Sequence, residues 1–298
     1  AKTTFPKNPR GGPPAPRRPP AAQGAVRTII GTENTAATPT ILAARHEMQS
    51  WLVMAFDPAA MRRPDRFTQP PGIAENGAHI PATLQHLSNF IGQHDPDYDL
   101  FAIVSSRLSE LVPVRRVNVV EDKERQLLAL ELRERSGLTV RANSISDGTL
   151  RFLALVALSE VFDDSAVVCM EEPENGIHPA KLGAMNRLLR DIAVDADEAV
   201  DFDNPLRQVI VATHSPYFVQ LQTQDDLVLA KNPAVRGLSG DSIFPLKCYP
   251  LEGSWRGRTI QDGKSQRTVG LLELQAYLMP PADGQLAFPW GYAQSAWK

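Results

Sequence analysis

Hydrophobic and polar positions along the 298 residues change rhythm more than once. Ordered patterning begins near residue 26. Residues 40–56, TILAARHEMQSWLVMAF, place apolar side chains at mixed helical and strand spacing, and Pro58 closes the run. Residues 62–81 read as loop, with RRP, QPPG and ENGAHIP. Two amphipathic helices are predicted at 82–91 and 100–112. Leu84, Leu87 and Ile91, then Ile103, Leu108 and Leu111, recur near every third or fourth position. Three strands follow at 115–121, 127–133 and 137–142, separated by DKERQ and ERSG. That is the pattern of an antiparallel meander.

After residue 144 the alternation changes. A helix is predicted at 149–162, a strand at 166–170, a helix opened by Pro179 at 179–194, and strands at 208–213 and 226–230. These strands are nearly all apolar and alternate with helices, which predicts a parallel sheet covered on both faces. An acidic stretch follows from the end of the helix at 179–194, with Asp191, Asp195, Asp197, Glu198, Asp201 and Asp203, and predicts a solvated surface loop. A last helix is predicted at 269–278.

Composition narrows the class. Residues 1–24 hold seven prolines, five Lys or Arg and no acid, so they cannot bury a core; a disordered or polyproline-like segment is expected. The rest reads as an ordinary globular chain, with no apolar run of the roughly 18–20 residues a membrane helix needs. Two cysteines, Cys169 and Cys248, argue against a disulfide framework and fit the reducing cytoplasm. A net charge of -3 leaves nucleic-acid contact to a local patch rather than a global field.

The candidate chemistry lies in CMEEPENGIHPAKL, residues 169–182. Glu171 and Glu172 end an apolar strand, and ligands of parallel α/β sheets sit at the carboxyl ends of strands. His214 ends the next apolar strand. Ser146, Asp147 and Gly148 open a helix whose N-terminus offers free N–H groups and a partial positive charge to a phosphate. Phosphoryl transfer to water needs a metal on the phosphate oxygens, a carboxylate to orient the water, and donors for the developing charge. A metal hydrolase built on Glu171, Glu172, Glu174 and His178 is disfavoured, because no HExxH-like spacing is present.

In this order, NSISDGTLRFLAL, AVVCMEEPENGIHP and VIVATHSPYFV resemble the C-terminal motor half of AAA-family ATPases of the ABC/SMC/RecF/OLD-like branch. FDPAAMRRPDRF and ENGAHIPATLQHL resemble that family's arm region, so the likeness spans roughly residues 45–232. It implies an α/β fold: the C-terminal lobe of a P-loop NTPase with a mostly parallel sheet, an antiparallel meander and a helical arm. By this resemblance ISDGT is the signature motif, with Ser146 and Gly148 on the γ-phosphate held by a second protomer and Asp147 beside them. AVVCMEE is Walker B, with Glu171 on the Mg2+ shell and Glu172 the catalytic carboxylate. Glu174 and Asn175 belong to the D-loop near the dimer seam, and His214 is the switch histidine. The implied cofactors are ATP and Mg2+. The implied partners are a second copy or a partner ATPase half, with DNA or an effector protein as candidate targets and no membrane. The implied setting is bacterial genome maintenance or phage defence.

The phosphate-cradling loop GxxxxGK[ST] is absent. GGPPAPRR at 11–18 is no substitute, since its prolines lack the N–H donors a phosphate needs. The family places that loop before the arm, in a lobe that also brings a central strand. Two expectations therefore stand: an ATPase that works with a Walker A part absent from this sequence, or a non-hydrolysing interaction subunit that offers its motifs to a partner carrying Walker A. The expected organisation is a Pro/Arg-rich segment at 1–25, an arm or lid at 26–114, an ATPase lobe at 115–235 and an extension at 236–298.

Overall fold

The computed structural model describes residues 28–32, 39–161, 166–201, 204–236, 242–260 and 268–278. The Pro/Arg-rich segment expected at 1–25 lies outside them. Contacts divide the chain into two units, residues 1–51 and 52–298. The first holds α1 (Ile29–Thr32) and α2 (Pro39–Gln49), and α2 buries none of its side chains. The mixed spacing of 40–56 thus resolves into a helix followed by a strand.

The second unit begins with β1 (Leu52–Met54), α3 (Pro58–Met61), β2 (Asp65–Arg66), α4 (Ile80–His94) and α5 (Leu100–Ser109). Asp57 caps α3 by accepting the Ala59 N–H at 2.9 Å, and Asp99 caps α5 by accepting that of Ala102 at 3.0 Å. Next come β3 (Val114–Asp122), β4 (Leu127–Glu134) and β5 (Thr139–Arg141). They form the expected meander, and β2 adds to it by pairing with Leu127 and Leu128. Leu128, Leu130 and Leu132 alternate inward along β4, the period a half-buried strand requires.

The remaining elements are α6 (Asp147–Val161), β6 (Ala166–Glu171), α7 (Leu182–Ile192), β7 (Arg207–Ala212), α8 (Pro216–Val219), β8 (Val228–Lys231), β9 (Val235–Arg236), β10 (Ser242–Ile243), β11 (Lys247–Pro250), α9 (Trp255–Ile260) and α10 (Leu271–Leu278). Every residue of α6 from Gly148 to Leu158 except Arg151 is buried, so this helix is the centre of the core rather than a one-sided surface helix. Each fully buried Leu in it contributes about 2–3 kcal/mol of transfer free energy.

β1, β6 and β7 form a parallel sheet with β6 in the middle. Leu52 pairs Val168, which pairs Val209, and Met54 pairs Met170, which pairs Val211. These six side chains share one face and join the core of α6 and α7. The opposite face differs from expectation. It carries Val53, Cys169 and Ile210 in register, and Val53 is 63% and Ile210 55% exposed. Among the described residues this face is therefore partly open, although Val167 on it is buried. The strand expected at 226–230 does not extend the sheet either: β8 pairs antiparallel with β11 in a separate two-stranded sheet. Among the described residues β7 pairs β6 alone, so its other edge is open.

Candidate functional site

The site is built where β6 and β7 end together. Their register puts Glu171 opposite Ala212, so Glu172 and His214 leave adjacent strands at the same end. The Glu172 N–H donates to the Ala212 carbonyl at 2.8 Å, which holds the two exits together one residue past the ladder. Glu171 is exposed and Glu172 half-buried. Among the described residues neither carboxylate takes a hydrogen bond or an ion pair.

Strand alternation does not separate the two acids. Glu172 has φ +43°, in the left-handed region that non-glycine residues seldom occupy. The chain turns there, and the Asn175 N–H closes the turn on the Glu172 carbonyl at 3.0 Å. A non-glycine residue in this region costs on the order of 1–3 kcal/mol, and such strain gathers at functional sites.

Glu174 lies deeper than the sequence suggests. It is 6% exposed, and Asn175 beside it is exposed. The Thr213 hydroxyl donates to Glu174 Oε1, while Oε2 is buried with no partner among the described residues. Thr213 Oγ1 accepts the Ser215 N–H at 2.9 Å, and Ser215 caps α8 by accepting from the Phe218 N–H at 3.3 Å. His214 sits exposed between these two anchored residues. His178 is exposed, and its Nδ1 accepts the Ala180 N–H at 3.2 Å, an ordinary cap at the start of a helical turn.

The start of α6 is the other half. The Ser146 hydroxyl accepts the Thr149 N–H at 3.3 Å and lies 2.7 Å from Thr149 Oγ1. Ser146 and Asp147 are exposed. Gly148 is not: a Cβ on it would lie 2.3 Å from the Gly176 carbonyl oxygen. Gly148 is thus a packing residue that lets α6 touch the loop after β6, and surface contact from this motif falls to Ser146 and Asp147.

Three side chains that sequence reasoning passed over complete the arrangement. Arg62 donates from Nη2 to the Ile145 carbonyl at 2.9 Å and to Asp147 Oδ1. Arg151, from α6, reaches the carbonyls of Glu172 and Asn175 at 3.4 Å each. Thr213 holds Glu174. A lone arginine inside an otherwise apolar helix is a signal for Arg151; Arg62 and Thr213 carry none.

The family model described as "AAA domain, putative AbiEii toxin, Type IV TA system" matches residues 2–220. The chain belongs to this AAA-domain family. The resemblance seen in the three motifs is borne out at that level, as are the α/β class and the pairing of a parallel sheet with an antiparallel meander. No curated protein matches the chain. Among solved structures, a chain from work on ATP-driven dimerization and DNA stimulated activation of SMC ATPases is similar with a TM-score of 0.34 and 12% identity, over 60% of this chain and 99% of that one. The Smc head domain with a coiled coil and joint derived from Pyrococcus yayanosii is similar with a TM-score of 0.34 and 10% identity, over 62% of this chain and 30% of that one. Among the described residues of this AAA domain no helix is long and apolar enough to cross a membrane, and no group of three or more His, Cys, Asp or Glu could hold a metal unaided.

Proposed function

We propose that this AAA domain is one half of an ATP-hydrolysing site, completed by a phosphate-cradling segment outside these 298 residues. The observation that carries it is the common exit of Glu171, Glu172 and His214 from two paired parallel strands. Mg2+ seldom needs an all-protein cage: one or two carboxylates with substrate phosphates suffice. The unpaired Glu171 fits that need and would hold the ion. When bound with ATP, Mg2+ neutralises phosphate oxygens. Glu172 orients the attacking water and accepts its proton. His214 donates to the γ-phosphate. Ser146, at the N-terminus of α6, faces the nucleotide of a second protomer and makes the working unit a head-to-head dimer or a pair with a partner half.

The completing segment brings a strand and a covering layer. A parallel sheet is stable with both faces covered. Among the described residues one face is partly open, with Val53 and Ile210 exposed on it, and the outer edge of β7 is unpaired. The segment is either another part of the same polypeptide or a separate chain. The output of the cycle is mechanical or regulatory, acting on DNA or an effector in genome maintenance, phage defence or a toxin–antitoxin pair, the last in line with the family's description.

The same open edge favours a second reading, in which the chain hydrolyses nothing and lends its motifs to a partner that carries the phosphate loop. Glu172→Gln separates the two. In the complete assembly with Mg-ATP, size-exclusion chromatography with light scattering should find a trapped, ATP-loaded dimer and no phosphate release. Unchanged hydrolysis would remove Glu172 from the reaction. Binding of labelled ATP with Mg2+ by this chain alone is expected to be weak, and tight binding would overturn the half-site.

A further inference from the structure

We infer that Glu174 is a positioning residue, which acts through Thr213 to hold His214 in place. The inference depends on the ATPase proposal only for what His214 does, not for what fixes it.

The geometry is a short chain of contacts. Glu174 Oε1 accepts from the Thr213 hydroxyl. The same hydroxyl oxygen accepts the Ser215 N–H at 2.9 Å. A hydroxyl has one proton and two lone pairs, so spending the proton on Glu174 leaves a lone pair aimed at Ser215. Both neighbours of His214 are thereby tied to one carboxylate. Thr213 is held through its side chain and Ser215 through its N–H. Ser215 in turn caps α8, whose Phe218 is buried in the core. His214 itself is exposed and lies in no regular element.

The energetics point away from a purely structural carboxylate. Glu174 is only 6% exposed, and its Oε2 has no partner among the described residues. A buried carboxyl group with an unsatisfied oxygen is costly. The opposite side of the loop is anchored as well, by Arg151 on the carbonyls of Glu172 and Asn175. Glu172 and His214 are therefore braced from both flanks.

The test is an NMR measurement on the full chain without nucleotide, so it stands whether or not ATP is hydrolysed. Selective ring labelling gives signals from six histidines, with His214 assigned by its loss in His214→Gln. Thr213→Val should shift and broaden the His214 signal and leave that of His79, held by Asp65, unmoved. Thr213→Ser restores the hydroxyl and should restore the signal. Glu174→Gln retains an acceptor and should keep His214 near its wild-type position while raising Tm. Glu174→Ala should behave as Thr213→Val does. An unmoved His214 signal in a folded Thr213→Val chain, or no recovery in Thr213→Ser, overturns the inference. In the hydrolysing assembly the same Val/Ser pair should split kcat from KM: kcat falls at least several-fold with Val, returns with Ser, and KM stays put. Equal loss of both overturns it. Absence of hydrolysis in the wild-type assembly bears on the ATPase proposal and leaves the NMR result standing.

Discussion

Arg62 and Asp147, 85 positions apart in the chain, meet as an ion pair of 2.5 Å at the first turn of α6. The acid is 56% and the arginine 24% exposed. A pair this open contributes about 0–1 kcal/mol to stability. Its larger effect is on charge. A free carboxylate at that turn would oppose an approaching phosphate, and Arg62 cancels it. Arg62→Ala should leave Tm nearly unchanged and weaken ATP-driven association of the complete assembly several-fold. Adding Asp147→Asn should restore much of the loss. Sedimentation of the single and double variants checks this, and a double variant no better than the single would dismiss the charge argument.

Glu172 occupies a backbone conformation that suits glycine. Relief of about 1–3 kcal/mol of strain exceeds the roughly 0.5–1 kcal/mol that glycine loses through unfolded-state entropy. Glu172→Gly should therefore raise Tm by a few degrees, at about 2–4 °C per kcal/mol for a domain of this size, while hydrolysis is lost. Glu172→Gln should also lose hydrolysis but keep the wild-type Tm. Calorimetry on the two variants tells them apart.

At Gly148 the direction reverses. An added methyl would lie 2.3 Å from the Gly176 carbonyl oxygen, a backbone atom that cannot swing aside. Gly148→Ala should cost about 1–3 kcal/mol, as overpacking generally does. Urea titration measures it; a neutral result would mean the loop after β6 is freer than its contacts with α6 imply.

Acid should expose a further dependence. Arg116 donates twice to Asp99, at 2.8 and 3.0 Å, and lowers that carboxyl below its ordinary value. A lowered folded-state pKa gives stability that is present above the unfolded value, about 4, and lost as pH falls through the folded one. The Tm gap between wild type and Asp99→Asn should thus be widest near neutrality and close below about pH 4. A gap constant across that range would assign the effect to the α5 cap alone.

The partly open sheet face predicts tolerance. Ile210 is 55% exposed, so Ile210→Lys should shift the stability of this chain by no more than about 0.5 kcal/mol. The same change should block assembly with the completing segment. Pull-down with that segment, beside denaturant unfolding of the chain alone, reads both halves.

Much of this was legible in the order of residues. The central helix α6, the meander and strand β6 follow from runs whose periods are long and uninterrupted. Pairing was not legible. Residues 208–212 and 228–230 are equally apolar, yet one joins a parallel sheet and the other an antiparallel pair, because period does not reveal a neighbour. The resemblance places Glu174 in the D-loop near the dimer seam, and only the fold shows it sealed beneath Thr213. The turn at Glu172 leaves no trace either, since the residue that normally marks a left-handed backbone is absent from that position. Arg62 was hidden in a stretch dense with Pro and Arg that reads as loop.

The outer edge of β7 has a consequence for the cell. Gln208-Val209-Ile210-Val211 carries no charge and no proline, the devices by which exposed strands discourage unwanted pairing. An edge of this kind favours pairing between copies of the chain unless a further strand covers it. Where the completing half of the proposed site is a separate chain, matched supply of the two would decide how much of either accumulates.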